Sequence, residues 1–248
     1  MLIGIDIGGS NSRVALFQKN SPKILQKIQF KNSGDFEIDF AKLCDTITKI
    51  SQKKKISKIG VSIAGELNRS KSSLLVSPNL IDFVGRPIRK MLAQKFACKI
   101  RLENDAVTTA RGEAFFGAQI RENFLLVIWG SGVGGALAEF RNQKFCFRNI
   151  EIGREDDLEK FCGGNWIPKK FGKNPQKLNK NEWREIEKKF ASVLQKICDE
   201  RKITQVVFSG GVALHQKIHV RAIGKLISAK IEFSKLCENA GLVGAATL

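Results

Sequence analysis

Asp105 stands where this sequence could move a proton. Residues 99–102 alternate apolar and polar like a short strand, and 106–118 carry the small and apolar residues of a helix, so Asn104 and Asp105 fall at a strand-to-helix junction. A carboxylate there can serve as a general base at the mouth of a cleft. The same residue types are favoured as helix N-caps, and from these residues alone both roles stay open. Three glycine turns suggest a second chemistry, anion binding. Asp6, Gly8, Gly9, Ser10 and Asn11 join two strands, and glycines there let backbone N–H groups converge on a phosphate. Ser10 adds a hydroxyl, and Asp6 suits a magnesium ion held through water. An ordinary hairpin turn uses the same residue types.

Gly130, Ser131, Gly132, Gly134 and Gly135 fit G-x-G-x-x-G after an apolar strand. A dinucleotide fingerprint must open a helix, whereas 136–147 reads as strand, loop, strand. The reading adopted is a second phosphate-cradling hairpin with Gly130, Ser131 and Gly132 as donors. Ser209, Gly210 and Gly211 form a third turn, from strand into helix, with room for a flat adenine or ribose. No G-x-x-x-x-G-K-[ST] occurs, which excludes a P-loop.

The elements that must position these turns follow from hydrophobic periodicity. Strands are expected over 2–7, 13–17, 24–30 and 56–63, with helices over 35–51 and 87–96. The second half supplies strands over 124–129, 136–140, 145–147, 205–208 and 230–233. Its helices are a long amphipathic one over 181–201, one from 211 to about 226, and a small-residue helix over 241–248. The pattern predicts an α/β chain with mixed sheets and two lobes, 1–105 and 106–237, whose glycine turns face a cleft. The C-terminal helix, about 238–248, is free to pack back on the first lobe.

Composition narrows the alternatives. With 43% hydrophobic and 27% charged residues among 248, the chain reads as soluble and globular. Apolar runs are too short to span a bilayer, and residue 1 leads directly into a strand, so a cytoplasmic protein is expected. Six dispersed cysteines contain no C-x-x-C pair and read as free thiols. The net charge of +18 raises nucleic acid as a partner. Its lysines are scattered, with mild concentrations at 53–55 and at Lys169, Lys170, Lys173, Lys177 and Lys180, and no helix-turn-helix or zinc finger is found. No nucleic-acid or membrane partner is therefore expected.

In order along the chain, residues 4–16, Ser77 to Leu80, Glu103 to Ala106 with Gly112 and Glu113, 130–135, Glu151 to Gly153, Ser209 to Val212 and Gly244 to Ala246 together resemble the motifs of the ROK family of sugar kinases. The resemblance implies a two-lobed actin-like ATPase (ribonuclease H-like) fold and ATP-dependent phosphorylation of a hexose or amino-sugar hydroxyl, glucokinase-like. It assigns Asp105 as catalytic base and Gly65, Asn79, Asn104, Glu151 and Glu159 to the sugar. ATP falls to Asp6, Gly8, Gly9, Ser10, Asn11, Gly130, Ser131, Gly132, Gly210 and Gly211, with Mg2+ reached from Asp6 through water. It also leaves a homodimer open.

The chain departs from the family at Arg154, which replaces a histidine, and only Glu155, Asp156 and Asp157 stand where many members carry a cysteine-rich zinc loop. No zinc is expected, and His215 and His219 do not restore a four-ligand set. Arg154 either pairs with Asp156 or Asp157 or faces the sugar pocket and favours an anionic sugar. The rival readings are a type III pantothenate kinase-like enzyme, a sugar-responsive repressor, whose N-terminal DNA-binding segment is not expected before the first strand, and a non-catalytic sugar-binding protein.

Overall fold

The computed structural model describes residues 1–18, 21–52 and 54–248; Lys53 of the basic run 53–55 lies outside the described residues. The chain forms two compact units, Met1–Gly112 with Asn239–Leu248, and Glu113–Glu238.

The first unit is built on β1 (Leu2–Ile7), β2 (Asn11–Phe17), β3 (Ile24–Lys31), α1 (Phe36–Ser51), β4 (Lys58–Ile63), β5 (Glu66–Leu67), β6 (Leu74–Val76), α2 (Ile88–Phe96), β7 (Lys99–Asn104) and the start of α3 (Asp105–Phe116). Its main sheet has the order β3-β2-β1-β4-β7. The hairpin strands pair antiparallel, while β4 and β7 join parallel to β1 after crossovers. Strand alternation sorts the two faces. Ile3, Ile5, Ile7, Ile59, Val61 and Ile63 enter an aliphatic core with Leu43, Ile47 and Ile50 of α1. The other face carries Gly4 and Gly60, where the C-terminal helix (Ala240–Ala246) packs. A Cβ at Gly60 would stand 1.8 Å from the Ala245 carbonyl oxygen, so only glycine admits that approach. Asp6 and Ser62 end this small-residue face, paired in register across β1 and β4.

The second unit contains β8 (Phe124–Trp129), β9 (Val133–Arg141), β10 (Lys144–Ile150), α4 (Leu158–Cys162), α5 (Ile167–Phe171), α6 (Lys180–Arg201), β11 (Gln205–Ser209), α7 (Gly211–His215), α8 (Lys217–Gly224) and β12 (Lys230–Phe233). Its sheet order, β10-β9-β8-β11-β12, repeats the plan of two antiparallel hairpin pairings followed by two parallel ones. α6 begins in a capping box, Asn179 with Glu182, and buries Trp183, Ile186, Phe190, Val193, Leu194 and Ile197, the apolar face expected from its period. Trp129 anchors this core, its indole N–H donating to the Cys162 carbonyl at 2.7 Å.

Two stretches without an expected element form one, and one expected helix is divided. The polar stretch after Gly65 closes as a small hairpin, β5 against β6. The segment 158–171 forms α4 and α5. The single helix from 211 to about 226 is two helices, interrupted at Gln216 (φ −107°, ψ 41°), so His215 and His219 do not share one helical face. His215 Nδ1 lies 2.6 Å from the Gly211 carbonyl oxygen, while His219 stacks on Trp183 and meets Glu187 at 2.7 Å. Among the described residues no helix is long and apolar enough to cross a membrane.

Candidate active site

In the first unit, α3 begins at Asp105 itself, and Asn104 is the residue that caps it. Asn104 Oδ1 accepts from the N–H groups of Ala106 (2.9 Å) and Val107 (3.2 Å). Its Nδ2 donates to the Gly65 carbonyl at 2.9 Å, tying the junction to the strand-end loop. Asn104 therefore settles the cap question that the sequence left open, with one Nδ2 hydrogen remaining for another acceptor. Asp105 is half-buried, and its Oδ1 also receives the Ala106 N–H at 2.9 Å. The carboxylate thus sits at the positive end of the helix.

Gly65 has φ +132°, and a Cβ there would come within 2.5 Å of the Val76 carbonyl oxygen, so this loop tolerates no side chain. Ser77 Oγ donates to the Ala64 carbonyl at 2.8 Å and seats the following segment, Pro78 and Asn79, beside it. Asn79 is exposed, and its amide has no hydrogen bond among the described residues. It touches the first glycine turn directly: a Cβ on Gly9 would lie 2.5 Å from Asn79 Cβ. The turn itself is closed by the Gly8 N–H donating to the Asn11 carbonyl at 3.0 Å, and Ser10 is exposed. Asp105, Asn104, Gly65, Asn79 and Gly9 are linked by a run of bonds and contacts within one unit.

Asp6 is held from two sides. Ser62 Oγ donates to its Oδ1 at 2.8 Å, and Arg13 Nη1 to its Oδ2 at 3.1 Å. Thr108, in the first turns of α3, donates to Ser62 Oγ at 2.8 Å, so the carboxylate is connected to the helix that Asp105 starts. Burial pushes the Asp6 carboxyl above its usual range, with Ser62 and Arg13 pulling the other way. Among the described residues no group of three or more His, Cys, Asp or Glu side chains could hold a metal ion, so Asp6 would hold magnesium as a single carboxylate acting through water, as that ion commonly allows. Arg13, Ser62 and Thr108 were missed by sequence reading, although Asp6 and Arg13 are direct cross-strand partners in the hairpin register.

In the second unit, the G-x-G-x-x-G segment is the tight turn between antiparallel β8 and β9, closed by the Gly130 N–H donating to the Gly132 carbonyl at 3.0 Å. No helix follows, which removes the dinucleotide reading. Glu159 braces the turn: its Oε2 accepts the Val133 N–H at 2.8 Å, and a Cβ on Gly132 would fall 2.2 Å from that oxygen. Gly164 and Asn165 donate their N–H groups to the carbonyls of Gly130 (2.9 Å) and Ser131 (2.8 Å). Gly210 (φ +94°) lies over the Trp129 backbone, bringing the 209–211 turn beside the first.

These two turns share a cavity of about 420 Å³ lined by Gly130, Ser131, Asn165, Gln176, Gly211 and Gln216 among others. The side-chain amides of Asn165, Gln176 and Gln216 have no hydrogen bond among the described residues, so they remain available to a ligand. Sequence reading found the glycines and missed the amides: Asn165 and Gln176 come from the connections between α4 and α6, and Gln216 from the break between α7 and α8.

Glu151 is exposed, accepting from Asn149 Nδ2 at 2.7 Å. Arg154 does not take either neighbour named from the sequence; its Nε lies 3.6 Å from Glu151 Oε2, while Asp157 meets Lys160 and Asp156 faces Lys189. The reason is backbone geometry, because Asp156 and Asp157 both adopt left-handed φ (48° and 53°) and turn away into α4. Both partners of the Arg154 pair are exposed, so it contributes little to stability.

Residues 2–146 match the model of the ROK family. The chain is 29% identical over 140 residues to a glucokinase of Thermotoga maritima and 27% identical over 140 residues to an N-acetyl-D-glucosamine kinase of Pectobacterium carotovorum. Each alignment covers 55% of this chain, and the matched stretches span 44% and 45% of those relatives, so the match reaches less than half their length. A ROK family glucokinase from Streptomyces griseus, solved with glucose and AMPPNP, superimposes with a TM-score of 0.81 at 20% identity, covering 99% of this chain and 98% of that one. That likeness establishes the actin-like ATPase fold, and with the family match over 2–146 it follows that the chain belongs to the ROK family.

Proposed function

We propose that the protein transfers the terminal phosphoryl group of ATP to a hydroxyl of a hexose or amino sugar. The observation that carries this reading is the run Asp105, Asn104, Gly65, Ser77, Asn79 and Gly9, in which a bond, close contacts and chain neighbours join a candidate base to the first glycine turn. The relatives named glucokinase and N-acetyl-D-glucosamine kinase support the substrate class.

In this mechanism Asp105 accepts the proton of the attacking hydroxyl as its oxygen forms a bond to the γ-phosphorus. The bond from that phosphorus to the β,γ-bridging oxygen breaks, and ADP leaves. Asn104 fixes the start of α3 and the Gly65 loop, so that the carboxylate is oriented before the sugar arrives. Asn79, Glu151 and Glu159 offer donors and acceptors to the sugar hydroxyls; Glu159 does so while bracing the Gly132 turn. Backbone N–H groups at Gly9, Ser10 and Asn11, and at Ser131 and Gly132, with the Ser10 and Ser131 hydroxyls, receive phosphate oxygens, while the Gly8 and Gly130 N–H groups close their turns. Gly210 and Gly211, with the amides of Asn165, Gln176 and Gln216, take the nucleoside. Asp6 would hold magnesium through water, and the chemistry that ion supplies is charge neutralisation on the phosphates.

The test is ADP release with magnesium-ATP across hexoses, amino sugars and pantothenate. Stimulation by a hexose or amino sugar is expected; stimulation by pantothenate alone, or by nothing, contradicts the proposal.

A further inference from the structure

β7 divides its side chains between two environments. Leu102 and Asn104 are buried, while Arg101 and Glu103 reach a depression of about 410 Å³. Its lining includes five cationic side chains, Arg69, Lys71, Arg89, Arg101 and Arg111. Glu103 is the one acidic side chain there, so the cationic side chains lead five to one.

Within the cluster Lys71 pairs with Glu103, while Arg69 and Arg89 have no acidic partner among the described residues. Arg89 Nη1 donates to the Ser70 carbonyl at 2.8 Å, and Arg101 Nη1 to the Leu248 O atom at 2.5 Å. Arg111 spans Thr247, from Nε to Oγ1 at 2.6 Å and from Nη2 to the carbonyl at 3.2 Å. The Ser70 carbonyl carries no charge and a guanidinium has five N–H donors, so most of the Arg89 fork remains for a ligand. Arg69 makes no hydrogen bond or ion pair among the described residues. The cluster also works against itself: burial, then the Arg101 charge, lowers the affinity of Arg111 for its proton, and Lys58 is lowered by burial and by Arg101, Arg111 and Lys99. Forked donors with uncompensated positive charge match a tetrahedral dianion better than a single carboxylate.

We propose that this depression binds a phosphomonoester or free phosphate dianion, at a site separate from the glycine turns and from Asp105. Glu103 connects it to the strand-to-helix junction, since its Oε2 pairs with Lys71 while its Oε1 accepts the Asn104 N–H at 3.1 Å. An anion drawing on Lys71 competes with Glu103 and so acts on the residue that precedes Asp105.

Calorimetric titration of the full chain at constant ionic strength, with inorganic phosphate in one arm and a hexose phosphate in the other, tests the site. Saturable binding is expected, weakened about tenfold or more in Arg69→Ala and further in Arg69→Ala with Arg89→Ala. Arg69→Ala removes no internal bond, so an unchanged unfolding midpoint accompanies its loss of affinity. Tighter binding of the hexose phosphate identifies a phosphomonoester site, and equal affinity a free-phosphate site. Wild-type affinity in both variants, or no saturable binding in either arm, overturns the proposal.

Discussion

Gly132→Ala tests the brace beneath the second glycine turn. The new methyl would occupy a point 2.2 Å from Glu159 Oε2, inside contact distance, so the carboxylate must swing away. Glu159 is long enough to move, and the cost is then the bond it gives up, the Val133 N–H at 2.8 Å. Val133 is only 5% exposed, which leaves its N–H poorly placed to find water. A hydrogen bond to a charged acceptor contributes about 1.5–3 kcal/mol, so a destabilisation of about 2 kcal/mol is predicted. Glu159→Ala removes the same bond and should cost a similar amount. Because both changes destroy one interaction, the double variant should cost about as much as either alone, giving a coupling energy of about 2 kcal/mol. Gly134→Ala is the control, since nothing lies within 4 Å of its added Cβ. The assay is urea denaturation followed by tryptophan fluorescence, which reports the second unit alone because the 3 tryptophans, Trp129, Trp166 and Trp183, all lie in it. Gly132→Ala behaving like Gly134→Ala, or additive losses in the double variant, would refute the reasoning.

Three further outcomes are expected. Asn104→Ala loses the cap of α3 and the tie to Gly65, and should lower stability by about 1–2 kcal/mol; hydrogen exchange in the first turn of α3 measures it, and unchanged protection contradicts the capping role. Asp6 has a folded pKa raised above its ordinary 3.8, so the folded state holds the extra proton between those values. Stability from this group is present below that window and lost as pH rises through it; Asp6→Asn should flatten the profile, and parallel profiles would exclude the buried-carboxylate account. Cys146 and Cys237 are exposed, whereas Cys44, Cys162 and Cys198 are buried, with burial pushing the Cys198 thiol up to about 11. A thiol reagent should label the first two rapidly in native protein and the buried three only on unfolding; fast native labelling of Cys162 would contradict the packing around Trp129.

Local signals in the sequence were strong where one residue type had one physical meaning. Ile3, Ile5 and Ile7 alternate with Gly4 and Asp6, and that period placed β1 and its buried face. The apolar stripe from Trp183 to Ile197 likewise placed α6. At Asn104 and Asp105 the junction was legible, but which residue caps and which is left as the candidate base depends on where the helix begins, next to the Gly65 loop that Asn104 is bonded to. The β5–β6 hairpin escaped because its strands are two and three residues long, and although Leu67 and Leu74 reach the core, its turn is held by side-chain bonds among polar Asn68, Ser70, Ser72 and Ser73. The Glu159 brace and the amides of Asn165, Gln176 and Gln216 were not legible, since they meet the Gly130 turn only through contacts distant in sequence. Arg154 shows the limit of neighbour reasoning: Asp156 and Asp157 are adjacent in sequence, and left-handed backbone turns them to other lysines.

The central claim is that Asp105 removes the proton from the sugar hydroxyl. It is tested most directly by measuring ADP release in the presence of the stimulating sugar for the wild-type chain and Asp105→Asn, alongside affinity for AMPPNP. The account predicts a loss of about 10²–10⁴-fold in turnover with nucleotide affinity unchanged. An Asp105→Asn variant that keeps most of its sugar-dependent turnover contradicts it.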